Sequence, residues 1–247
     1  MEVRLAHLGV DGCRAGWFYF AFAGDDLTWG LAQRVQSLVD SVPDSSTILI
    51  DTPIGLRSVN GGERLCDREA RRLLSPVRHT SVFPAPSRQA LMVSSYEEAS
   101  SINREILGKG LSKQTWAIVP KIREVDEVLR TSAKARRMLR EVHPEVCFAG
   151  LAGRPMQYSK KKCEGYEERM AVLRTYFPGA DFIVQEAVRS HSRKELALDD
   201  VVDAFVAALC ARRIGQCETL PLQPEIDAEG LPMEVVYLPW GELTVSA

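Results

Sequence analysis

The sequence predicts an α/β protein: a mixed sheet that opens with three antiparallel strands and continues with parallel ones, flanked by helices and carrying helical insertions. Three observations carry that expectation. Residues 3–10 and 17–23 are apolar runs, the second rich in aromatics, joined by a glycine-bracketed gap as in a hairpin. Residues 47–50, Thr-Ile-Leu-Ile, form a continuous apolar run ending in Asp51, the pattern of a strand buried on both faces. From Asp199 onward Val202, Phe205, Val206 and Leu209 recur at helical spacing, so a helix is expected to lay one face on the sheet while its first turn stays polar.

The elements follow in order. Asp11-Gly12-Cys13-Arg14-Ala15-Gly16 is read as the turn of the hairpin, and a weaker third strand over 27–31 precedes a short helix over 34–39. Pro43-Asp44-Ser45-Ser46 turns the chain into the central strand, which Thr52-Pro53-Ile54-Gly55 stops. Residues 57–135 are less regular, with helices over 63–74 and 96–107 and punctuation at Pro76, Pro84 and Pro86, so the stretch reads as an insertion. A strand over 138–142, closed by His143-Pro144, leads to a second insertion at about 151–195 containing a helix over 166–176. A last strand is expected over 233–238. The 247 residues are read as one domain, 1–247, bearing the two insertions.

Composition narrows the class. With 45% hydrophobic and 26% charged residues the chain is neither disordered nor fibrous. The first residues lack the apolar core of a secretory signal, and no apolar run approaches the ~20 residues needed to span a bilayer. A cytoplasmic protein with no membrane partner is expected. The 6 cysteines contain no Cys-x-x-Cys pair, which argues against a disulfide framework or a zinc site.

Net charge is only −2, but it is unevenly spread. Residues 57–140 hold 17 Lys and Arg against 9 Asp and Glu, a local +8, leaving 14 against 24, or −10, for the rest. A basic middle between acidic flanks suits a polyanion held near metal-binding carboxylates, although such asymmetry is also met on plain solvated surfaces.

Four carboxylates stand out: Asp11 after the first strand, Asp51 at the end of the central strand, and Asp200 and Asp203, three apart on the late helix. If the strands bearing Asp11 and Asp51 are parallel neighbours, their C-terminal ends lie together, where open α/β sheets place their sites. Crowded carboxylates call for a hard divalent cation, Mg²⁺ or Mn²⁺, as one ion or two, which suits phosphodiester hydrolysis. The bland readings stay open beside it: Asp11 as a turn residue, Asp51 as a strand terminator, and Asp199, Asp200 and Asp203 as helix-cap acids. Glu141, His143 and Glu145 would share one face if their strand ran on through Pro144, making His143 a proton shuttle and Glu145 a further ligand, or His143 simply a structural histidine.

Two further segments invite an anion. Lys109, Lys113 and Trp116 lie in Gly108-Lys109-Gly110-Leu111-Ser112-Lys113-Gln114-Thr115-Trp116, a mixture suited to holding phosphates and stacking a base, or to an ordinary turn with a core tryptophan. It lacks P-loop spacing. Arg78 and Arg88 flank the stiff segment Ser81-Val82-Phe83-Pro84-Ala85-Pro86-Ser87, either as anion holders or as a surface bracket.

Taken together, Gly-Val-Asp-Gly-Cys-Arg-Ala-Gly-Trp at 9–17, Ile-Asp-Thr-Pro-Ile-Gly-Leu at 50–56, Cys-Asp-Arg-Glu-Ala-Arg at 66–71, the segments at 81–88 and 108–116, Glu-Val-His-Pro-Glu at 141–145 and Asp-Asp-Val-Val-Asp-Ala at 199–204 resemble domain-of-unknown-function family 429, a family of predicted ribonuclease H-like nucleases. The resemblance runs from about Gly9 to the Met-Glu-Val-Val-Tyr stretch near the C-terminus. It implies a ribonuclease H-like fold and a Mg²⁺- or Mn²⁺-dependent nuclease acting on DNA or RNA. Asp11, Asp51 and Asp203 would hold metal, Asp200 would complete the shell, and Arg88 and Lys113 would hold phosphate. The late Asp-x-x-Asp-Ala pattern is similar to that of Holliday-junction resolvases, which usually carry a glutamate where this chain has the shorter Asp51. An ATP-dependent phosphotransferase of the same superfold, with the 11–17 hairpin on the ATP phosphates, and a non-catalytic nucleic-acid or protein-binding module are the alternatives.

Overall fold

A computed structural model of the chain describes residues 6–59 and 61–240. Strands β1 (His7–Cys13), β2 (Gly16–Ala23) and β3 (Asp26–Ala32) form an antiparallel meander. The helix α1 (Val35–Ser41) then carries the chain to β4 (Thr47–Ile50), which lies parallel to β1. β5 (Leu139–Glu141) adds in parallel beside β4, giving the order β3-β2-β1-β4-β5. The hairpin is tighter than the sequence implies: Asp11, Gly12 and Cys13 pair with Phe18, Trp17 and Gly16, so Asp11 lies in the strand and the turn shrinks to Arg14-Ala15. The expected first strand at 3–10 falls partly outside the described residues, and its described part begins at His7.

Between β4 and β5 run α2 (Leu65–Leu73), α3 (Tyr96–Leu107), α4 (Lys113–Thr131) and α5 (Ala133–Met138). The less regular stretch therefore contains the longest helix of the described chain. Pro120 inside α4 removes one backbone donor and masks the helical pattern, while Ser112 starts the helix by accepting the Thr115 N–H at 3.0 Å.

After β5 come α6 (Pro144–Ala152), α7 (Cys163–Tyr176), α8 (Ala180–Arg189) and α9 (Leu198–Arg212). The strand does not run on through Pro144, which instead takes a first-turn position of α6, where a missing N–H costs nothing. β6 (Glu218–Ile226) and β7 (Pro232–Tyr237) close the described chain as a separate hairpin sheet, with a parallel bridge from Val236 to Val142.

Two apolar layers cover the five-stranded sheet. Leu8, Val10, Ile48 and Ile50 face Val35, Leu38 and Val39 of α1 and Val125, Val128 and Leu129 of α4. On the other face Phe18, Phe20, Phe22 and Leu49 meet α9, and α6, α7 and α8 join the same core. The late helix is thus buried on all sides from Val201 to Ala211 rather than on one face, because helices cover the side turned away from the sheet. Its close seat depends on Gly9 in β1, where a Cβ would stand 1.9 Å from the Ala208 backbone nitrogen. No described helix is long and apolar enough to cross a membrane.

Candidate metal centre

Strand alternation decides what β1 offers to α9. Gly9 and Asp11 are two residues apart and so share a face, and since Gly9 touches α9, Asp11 is carried to the N-terminal half of that helix. The Asp51 N–H donates to the Val10 carbonyl at 2.9 Å, placing Asp51 one step past the end of β4, beside Asp11. Asp203 completes the set from one turn inside α9, only 2% exposed. Carboxylate oxygens of Asp11, Asp51 and Asp203 all lie within 4.8 Å of one another.

Such crowding is costly without a cation. Burial first, then the charges of Asp51, Asp203 and Asp200, push the Asp11 carboxyl well above the usual range. Burial also raises Asp51, against the pull of His143 and Lys160. Asp203 is pushed up to about 6 by burial, with Lys160 opposing. Lys160, on the loop before α7, sets its Nζ 2.5 Å from Asp203 Oδ2 and 3.3 Å from Asp199 Oδ2.

The three carboxylates open into a cleft of about 490 Å³ that His143 and Glu145 also line. Arg169 donates to Glu145 Oε1, but Glu145 Oε2 is buried without a hydrogen-bond partner. His143 Nε2 lies 3.3 Å from the Ser81 carbonyl oxygen, and its Nδ1 has no partner. An all-oxygen donor set with an unsatisfied carboxylate oxygen in the same cleft fits a hard divalent cation. The Asp11-Asp51-Asp203 group can hold one.

Asp200 caps its own helix. Its Oδ2 accepts the Ala197 N–H at 3.0 Å, the capping role weighed against a catalytic one, and it does not line the cleft. Arg88 likewise stays out of the cleft: its guanidinium is buried against Asp126 at 2.8 Å and Asp227 at 2.6 Å, a bracket tying the 3₁₀ turn Arg88–Leu91 to α4 and the β6–β7 turn. Nor are Lys109, Lys113 and Trp116 among the lining residues. The Lys109 carbonyl accepts from Asn103 Nδ2, Lys113 Nζ sits 3.2 Å from the centre of the Tyr96 ring, and Trp116 packs edge-on against the same ring. The hairpin contributes Asp11 and Gly12 alone.

Other cations line the cleft instead. Lys121 of α4 donates to the Gly16 carbonyl at 2.6 Å over the face of Trp17, and burial lowers its pKa. The Arg78 guanidinium donates to the Val77 carbonyl at 3.0 Å and pairs with no carboxylate among the described residues. Arg64 forms part of the wall, gripping Glu141 at 2.7 and 2.8 Å and Asp67 at 2.5 Å, while Glu141 also accepts the Ile54 N–H at 2.7 Å. This network fixes the loop after β4 against β5, and burial pushes Glu141 up to about 7 despite Arg64. Sequence reasoning missed Lys160 and Lys121. The first showed only as one of three consecutive lysines, and the second was hidden in a helix that Pro120 obscured.

Residues 9–226 match the model of a family described as a protein of unknown function (DUF429), and the chain belongs to that family. No curated protein and no solved structure matches it.

Proposed function

We propose that this member of the DUF429 family is a Mg²⁺- or Mn²⁺-dependent nuclease that hydrolyses phosphodiester bonds of DNA or RNA on a ribonuclease H-like fold. The observation that carries the reading is the convergence of Asp11, Asp51 and Asp203, from two adjacent parallel strands and a helix, onto one buried point. The order β3-β2-β1-β4-β5, three antiparallel strands followed by parallel ones, supports the fold assignment.

Asp11, Asp51 and Asp203 would hold the cation, with Glu145 Oε2 as a further donor. When bound, a divalent cation supplies Lewis acidity at a phosphoryl oxygen and lowers the pKa of water. Around it the chain's own groups divide the work. His143, whose Nδ1 has no partner, takes the proton as a water oxygen attacks phosphorus; the electron pair of the P–O bond that breaks goes to the leaving oxygen, which takes up a proton from solvent. Lys121, Arg78 and Lys160 offer positive charge to the phosphate, replacing the roles expected of Arg88 and Lys113.

The test is cleavage of labelled single-stranded, duplex, hybrid and branched nucleic acids with Mg²⁺, Mn²⁺ or EDTA, with Asp11→Ala and Asp203→Ala beside wild type. Cation-dependent cleavage that vanishes in both variants is expected. Full cleavage by both variants, or none by folded wild type, overturns the assignment.

A further inference from the structure

The cleft is not polar throughout. Phe83, 42% exposed, and Ile118, 40% exposed, line it together with the carboxylates. Single exposed apolar side chains are ordinary, but two at one charged cavity call for an apolar occupant. Neither is loosely placed. The chain around Phe83 is pinned on both sides, since Val82 O accepts from Arg71 at 3.0 Å and the Ala85 N–H donates to Asp67 Oδ2 at 3.1 Å. Ile118 belongs to a helix stripe, with Gln114 four residues before and Lys121 three after, so α4 turns an amide, an aliphatic group and a cation to the same side. Gln114 has an exposed side chain with both donor and acceptor to offer.

We propose that Phe83 and Ile118 form the wall for a single nucleobase, with Gln114 at its edge. On this assignment the substrate is a terminal or unpaired nucleotide whose phosphate turns to the carboxylates and to Arg78, Lys121 and Lys160. The proposal rests on the phosphodiester reading of the same site. A cleft of about 490 Å³ is of the size that takes one small ligand. Bases inside a duplex keep both faces stacked and reach such a wall only after extrusion. An aromatic face accepts any base, so the preference is for strand state rather than sequence.

Calorimetric binding in Mn²⁺, with thymidine 5′-monophosphate and 2-deoxyribose 5-phosphate as probes, tests it. Wild type is expected to bind the nucleotide about tenfold more tightly than the base-free phosphate, the size of one stacked base. Phe83→Ala, and independently Ile118→Ser, should remove most of that ratio while Mn²⁺ alone binds as in wild type. Equal binding of the two probes by wild type, no binding of the nucleotide, or an unchanged ratio in both variants overturns the proposal. Cleavage of a labelled single strand and of its blunt duplex separates the two readings. Faster cutting of the single strand supports both, whereas a nucleotide preference lost in Phe83→Ala with no cleavage of any strand upholds the base wall and sinks the hydrolysis.

Discussion

Lys160 Nζ stands 2.5 Å from Asp203 Oδ2, so a side-chain ammonium shares one of the three carboxylates that can hold a divalent cation. Burial alone would lower the lysine's pKa, yet the charges of Asp203 and Asp11 hold it above its ordinary value. The lysine is in effect a tethered counter-ion.

A cation entering the cluster must therefore compete with Lys160. Lys160→Met should bind Mn²⁺ several-fold more tightly than wild type, and in EDTA it should be less stable by about 1–3 kcal/mol, because three crowded carboxylates, two of them buried, lose their nearest compensating charge. Calorimetry and urea unfolding measure the two effects. Unchanged Mn²⁺ affinity would show that the lysine and the cation do not compete.

The raised carboxyl pKa values set the direction of the pH dependence. A group such as Asp203, at about 6 when folded, stabilises the cation-free protein below its unfolded value and ceases to as pH rises through about 6. Asp11 and Asp51 shift in the same direction. Mn²⁺ binding then expels protons, and the Tm increase produced by saturating Mn²⁺ over EDTA should be larger at pH 7.5 than at pH 5. An increase that shrinks with rising pH would contradict the cluster as the binding site.

Arg64 is buried with Glu141 and Asp67, and removing one member of such a group strands the others. Arg64→Ala should cost about 3–5 kcal/mol in urea unfolding. A loss below about 1 kcal/mol would mean that water reaches the network freely.

Arg88 gives the complementary case. Arg88→Met should destabilise the fold by about 2–4 kcal/mol by leaving Asp126 and Asp227 without their buried cation, yet leave Mn²⁺ affinity as in wild type. A variant that is as stable as wild type but loses nucleotide binding would restore Arg88 to the phosphate-holding role.

Gly9 tests the seat of α9. Gly9→Val drives a Cβ into the Ala208 backbone and should cost more than about 3 kcal/mol or prevent folding, seen as loss of soluble protein.

Local pattern by itself determined the antiparallel opening, the apolar central strand ending at Asp51, α3 to its residue boundaries, and the polar start of the buried late helix. Each carries a local signal of its own: apolar runs bracketing a glycine turn in the hairpin, an unbroken apolar run in β4, and helical spacing in α3 and α9. Local pattern also singled out Asp11, Asp51, Asp200 and Asp203, since a carboxylate at a strand end or a helix start is conspicuous. α4 and α6 escaped it, one interrupted by Pro120 and the other a short apolar stretch of 9 residues opened by Pro144. Only the tertiary structure decided which charges share the cleft. Asp203 and Lys160 are 43 residues apart and Asp11 and Asp203 farther still, while Asp200, three residues from Asp203, spends its carboxylate on its own helix end. Spacing along the chain fixes direction over a turn or a strand, but charge acts through space, and which ammonium or carboxylate lies within a few ångströms is set by how Gly9 lets α9 settle on β1.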